Sequence, residues 1–166
     1  MIIEQNVPTP VRIWAYCQDS IRSYENLIPF LMAGKYFSIG TRGIYVSFMK
    51  RYGSAGKKKY LEEYCKPRIK RLKRRCARYR ALADRIQQNS GIPLENWLLS
   101  KADALTLIGK TLRYNPRGKY RANGKIHYIT IQSCSGDGER IYCSNSLWPE
   151  GLDPLILLSL GFGKTL

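Results

Sequence analysis

Histidine is nearly absent from this 166-residue chain: His127 is the only one. It is therefore the only imidazole available as a general acid or base, and a catalytic role for it has no second motif residue in sequence reach. Carboxylates are also scarce, 12 Asp and Glu against 28 Lys and Arg, and they form no cluster suited to a metal-dependent nuclease. No apolar run reaches the ~20 residues of a membrane span. The longest, Leu155 to Leu160, lies near the C-terminus. Met1 to Pro10 carries Glu4 and two prolines and lacks the basic-then-apolar order of a secretory signal. The expectation is a cytoplasmic protein, or one packaged inside the cell into a particle, with no membrane partner. Close cysteine pairs are missing too. Cys17, Cys65, Cys76, Cys134 and Cys143 are odd in number and widely spaced, which suits reduced core thiols rather than a disulfide framework or a zinc site. No metal and no cofactor is expected.

Positive charge is abundant and unevenly placed. The net charge is +16, and Lys35 to Arg80 holds 16 basic residues against Glu62 and Glu63, a local net of +14. A solubility device is spread over a surface, whereas a phosphate-binding face is concentrated. An acidic protein or an anionic lipid is the other class of partner such a patch fits.

Residues 11–17 alternate apolar and polar side chains and predict a strand. Asp19-Ser20 caps a predicted helix to about Gly34, which Pro29 interrupts or kinks. Residues 36–49 look extended, with Ile44 to Phe48 the best strand, and Gly53 to Lys59 is a lysine-rich connection. Leu61, Cys65, Ile69, Leu72, Cys76, Tyr79, Ala83 and Ile86 recur every three or four residues, the apolar seam of a helix whose clearest part is 66–88. Pro67 suits the first turn of that helix, and the turns before it form a separate short one. Asn89-Ser90-Gly91 ends the element, and Pro93 opens another helical stretch. Asn123-Gly124 predicts a hairpin turn leading into the strand 125–131, partnered by 140–144 across Ser135 to Gly138. The apolar segment 147–166 closes the core, as an edge strand. The fold expected is α+β: a single domain over 1–166 with a small mixed or antiparallel sheet and one long arginine-rich helix. Within it, 1–59 is βαβ-like, 60–112 is the basic helical part, and 113–166 is the hairpin and closure.

Lys66 to Arg80 contains nine basic residues and no acid. With the seam facing a core, Arg71, Arg74, Arg75 and Arg78 become neighbours on the opposite side, and Arg68 joins them as a candidate contact. Like charges so placed repel unless a polyanion neutralises them, and each phosphate contact releases a counterion. The planar arginine fork also bonds guanine edges and stacks on bases. Lys57, Lys58 and Lys59 add long-range attraction. A secondary contact is read at 113–121, where Tyr114 and Tyr120 offer stacking faces while Arg117, Lys119 and Arg121 hold a backbone. The same segment also fits a basic loop with its tyrosines packed beneath.

Two short motifs point elsewhere. Gly43-Ile44-Tyr45 and Tyr52-Gly53-Ser54 are similar to the halves of the GIY-YIG nuclease signature, but the second half lacks its isoleucine. Gly161-Phe-Gly-Lys164-Thr165 has the ending of a phosphate loop without its upstream glycine or following helix.

A broader resemblance rests on Tyr45-Val-Ser-Phe48, the lysine-rich loop, and Pro67-Arg-Ile-Lys-Arg-Leu-Lys-Arg-Arg-Cys-Ala-Arg78. This run resembles part of the CRISPR-RNA-processing endoribonucleases of the type I-F group, and Tyr128 to Ser135 with Arg140-Ile-Tyr142 is similar to their C-terminal hairpin. About a third of the chain is covered. The resemblance implies that the arginine-rich helix docks in the groove of a repeat hairpin. That family carries a catalytic histidine in an N-terminal helix, and residues 20–34 contain none, so cleavage is left without an assigned residue other than the weak candidate His127.

These readings converge on nucleic acid as partner, with structured RNA favoured over DNA. Two other readings stand beside it. One is a DNA-binding protein or nuclease of a mobile element or phage. The other is a structural component of a ribonucleoprotein or virion, which would bring further subunits as partners.

Overall fold

The computed structural model describes residues 1–115, 126–137, 139–144, 148 and 150–165. They divide into two compact units: Met1–Asp19 with Leu82–Leu166, and Ser20–Ala81. The architecture is α+β, with one mixed sheet and one long arginine-rich helix.

The first unit contains the sheet. Strands β1 (Ile2–Ile3), β2 (Thr111–Tyr114), β3 (His127–Cys134) and β4 (Ile141–Cys143) lie in that order. β1 pairs with β2 in parallel, while β2–β3 and β3–β4 are antiparallel. The predicted antiparallel partner at 140–144 is present, but β4 pairs through Ile131, Ser133 and Cys134, while His127 to Thr130 pair with β2. The register shifts between Ile131 and Ser133, which re-aims the end of β3. Leu112, Tyr114, Ile129, Ile131 and Ile141 point inward and pack with Leu152, Leu157, Leu160 and Phe162. Strand alternation supplies one buried face, as a half-covered antiparallel sheet requires.

The C-terminal segment closes this core as a helix, α6 (Pro154–Leu160), and not as the expected edge strand. Its ends explain the difference. The Asp153 carboxylate accepts the Ile156 N–H at 2.8 Å, Pro154 occupies the first turn, and Gly161 at φ +104° terminates it. The capping signals outweighed the apolar run. A shorter helix, α5 (Lys101–Leu105), starts from a capping box in which Ser100 and Asp103 bond each other's backbone.

The second unit is helical, and two expected strands are corrected here, one of them at 11–17, in the first unit. Residues 11–17 belong to α1 (Thr9–Met32), a 24-residue helix. Val11, Trp14 and Ala15 are buried, so the run that alternates in sequence follows a helical period in space. Pro29 falls in the last turn, and the helix reaches Met32 before the Lys35 N–H returns to the Phe30 carbonyl. Residues 36–49 are not extended either: Ile39–Tyr52 form α2. Ser38 caps it, with Thr41 Oγ1 accepting the Ser38 N–H at 2.9 Å. Ile44, Tyr45 and Phe48 turn one side of α2 to the core. Tertiary packing and a cap overrode the β preference of these residues.

After one 3₁₀ turn the chain continues as α3 (Gly56–Tyr60). A β-carbon on Gly56 would lie 2.8 Å from both the Met49 Cα and the Phe48 carbonyl oxygen, so only glycine lets α3 approach α2 this closely. A π-helical turn, Leu61–Cys65, then joins α3 to α4 (Lys66–Gln88). The Lys66 N–H bonds the Leu61 carbonyl, five residues back. Pro67, next in line, has no N–H and its ring crowds the carbonyl four residues before it. Widening the preceding turn accommodates both facts.

The core of this unit is Leu31, Tyr60, Cys65 and Leu72, flanked by Phe37, Tyr64 and Ile69. Tyr60 is fully buried, with its ring 5.2 Å from Tyr45 and 5.3 Å from Tyr64. Its hydroxyl donates to the Lys35 carbonyl at 3.2 Å, and burial holds its pKa well above the ordinary phenol value. None of the five cysteines is in a disulfide, and Cys17, Cys65 and Cys76 are buried. Among the described residues, no helix is long and apolar enough to cross a membrane.

Candidate nucleic-acid interface

Helix α4 carries the site, and its orientation follows from its seam. Cys65, Leu72, Cys76 and Ala83 are buried, and Leu61, Ile69, Tyr79 and Ile86 are half-buried. With those eight fixed inward, helical geometry turns Arg71, Arg74, Arg75 and Arg78 to the solvent, and all four are exposed. Lys66, Lys70, Lys73 and Arg80 are exposed beside them. At three- and four-residue spacing these side chains have Cβ atoms about 5–6 Å apart.

Counter-charges inside the unit lie elsewhere. Arg80 pairs with Glu25, and Lys59 Nζ lies 3.6 Å from Glu63. Among the described residues, Arg71, Arg74, Arg75 and Arg78 have no ion-pair partner. Four unpaired guanidiniums on one stripe are mutually repulsive and can accept several phosphates at once.

Arg68 differs from the rest. It is half-buried, and its guanidinium carbon lies 5.6 Å from the Phe37 ring centroid and 5.8 Å from that of Tyr64. Its Nε is buried and has no hydrogen-bond partner among the described residues. A cleft of about 140 Å³ opens beside it, lined by Arg68, Arg71, Leu72 and Arg75. Tyr64 stands four residues before Arg68, a helical neighbour visible in the sequence. Phe37 precedes α2 and carries no sequence signal for this contact.

The remaining candidates are dispersed. Lys57 and Lys58 on α3 are exposed, but Lys59 is partly committed to Glu63 and lies 5.6 Å from the Tyr52 ring. Tyr114 is 1% exposed, and its ring packs on His127 and Trp148 at 5.6 and 6.3 Å. The face expected to stack on bases is inside the first unit's core. Arg117, Lys119, Tyr120 and Arg121, like the Asn123-Gly124 turn, lie outside the described residues. His127 is half-buried on β3 opposite Tyr114, in the first unit, whereas the arginine stripe belongs to the second.

The two short motifs also resolve into structure. Gly43-Ile44-Tyr45 lies within α2, and Tyr52 ends that helix. In the C-terminal run, the Gly163 N–H donates to Asn6 Oδ1 at 3.1 Å and the Lys164 N–H to the Trp97 carbonyl at 2.8 Å. These amides are already used, so the segment does not offer a phosphate cradle.

Compared with protein-family models, curated proteins and solved structures, the chain matches none.

Proposed function

We propose that this chain binds nucleic acid through the exposed face of α4, with structured RNA as the favoured class. The observation that carries the reading is the stripe Arg71, Arg74, Arg75 and Arg78, unpaired and exposed opposite a buried seam. Each arginine that meets a phosphate adds a displaced counterion to the driving force. Lys57 and Lys58 extend the positive field. The preference for RNA, and for a hairpin such as a CRISPR repeat within it, rests on the resemblance in the α4 sequence. Binding is the activity proposed, and no catalytic role is assigned to His127.

The test is a quadruple Arg71→Ala, Arg74→Ala, Arg75→Ala, Arg78→Ala variant compared with wild type for an RNA hairpin. All four side chains are exposed, so helix content by circular dichroism is expected to persist while affinity falls at least 100-fold at moderate salt. Equal binding by the two proteins would remove α4 from the interface.

A further inference from the structure

We propose that the cleft in which Arg68 meets Arg71 and Arg75 of the stripe is a seat for one phosphate group, distinct in kind from the open remainder of the stripe, Arg74 and Arg78. In its ligand the proposal rests on the nucleic-acid reading: the group seated is an internal backbone phosphodiester.

Three features separate this cleft from a generally basic surface. First, its arginines are spaced at i, i+3 and i+7, with Leu72 closing the floor at i+4, so one side of a single helix turns all four residues into one concavity. Second, Arg68 is held by rings rather than by an acid. Phe37 and Tyr64 sit at cation–π distance from the guanidinium, which restricts its rotation and leaves its charge uncompensated. Third, its Nε is buried without a partner among the described residues. A donor so placed is costly when it stays unsatisfied, which favours an acceptor seated against this guanidinium.

The dimensions agree with a small anion. A volume of about 140 Å³ is enough for a phosphate and part of its hydration. The chemistry agrees as well, since guanidinium forks present paired N–H donors that match the oxygens of a phosphate. A ring-held Arg68 loses little further freedom on binding, whereas Arg74 and Arg78 must be ordered by the ligand.

The distinction is measurable from the arginine N–Hε resonances of the full chain, titrated with inorganic phosphate at constant ionic strength. The signals of Arg68, Arg71 and Arg75 should move along a saturable curve while those of Arg74 and Arg78 stay put. Parallel, unsaturable movement of all five would overturn the site and leave only a charged surface. Arg68→Lys, which keeps the charge but loses the fork, should abolish the saturable response. Phe37→Leu should weaken it about threefold by freeing Arg68 to rotate, with folding checked by circular dichroism for both variants. Persistence of the saturable response in Arg68→Lys would also overturn the assignment. With RNA hairpins carrying or lacking a 5′-phosphate, Arg68→Lys should lower affinity for both about tenfold. A loss confined to the 5′-phosphorylated hairpin would overturn the internal phosphodiester in favour of a terminal one. Saturable phosphate binding without any RNA binding would uphold the cleft and refute the nucleic-acid reading.

Discussion

At the scale of single residues, the same side-chain type takes opposite roles according to what lies beneath it. Arg113 is spent within the first unit, with its Nη1 on Glu4 at 3.0 Å and its Nε on the Tyr128 hydroxyl at 3.3 Å. Arg68 rests on two rings and has no acid. Tyr114 shows where sequence reading stops: a tyrosine between cations suits base stacking, but strand alternation sends it inward beside Leu112. Its phenol is pushed up to about 12 by burial first and then by Cys143, and its hydroxyl has no partner among the described residues. A folded-state value above the ordinary 10 means a contribution to stability that is full below pH 10. That contribution disappears as the pH rises through about 12. Tyr114→Phe should therefore reduce the alkaline loss of stability between pH 10 and 12, the remainder belonging to groups such as Tyr60. At pH 7 the change should stay within about 1 kcal/mol of wild type, because no hydrogen bond is lost. Urea unfolding followed by tryptophan fluorescence at pH 7 and pH 11 checks both; an unchanged alkaline slope would contradict the burial argument.

At the scale of elements, α4 was legible because two independent patterns agree in it. Its apolar residues keep a helical period for more than six turns, and its cations fill the complementary positions. The separate short helix expected just before Pro67 is instead a π turn continuous with α4, and α3 falls on residues read as a lysine-rich connection. The π turn was not legible, since it answers a backbone conflict that no side-chain pattern records. The strands expected at 11–17 and 36–49 were missed for a different reason. Short apolar runs fit both periods, and the decision fell to capping at Ser38 and to the depth of the core each helix reaches. The seam makes a prediction of its own. Leu72 is 4% exposed between Cys65 and Cys76, and Leu72→Ala should cost about 2–5 kcal/mol in the second unit, read from the urea midpoint. A cost below about 1 kcal/mol would mean that α4 is not anchored through this face.

At the scale of the whole molecule, charge is partitioned as the units are. Ser20–Ala81 holds 17 basic and 3 acidic residues, a net of +14, and the remaining chain only +2. The sheet-bearing unit therefore contributes little to long-range attraction of a polyanion, and the helical unit nearly all of it. This asymmetry was fully legible in the sequence, because it needs only position along the chain. What was not legible is which cations are neutralised locally, since Glu25 and Arg80 meet across 55 residues of sequence. Removing Arg74 or Arg78 singly by alanine should reduce the slope of log affinity against log salt by about one unit. Neutralising Arg113, already paired, should leave that slope unchanged. The measurement that tests the central claim most directly is a salt-titrated binding comparison of an RNA hairpin, duplex DNA and single strands of each. Hairpin preference that survives moderate salt is the predicted result; equal binding to all four that collapses as salt rises, or no binding to any, would contradict it.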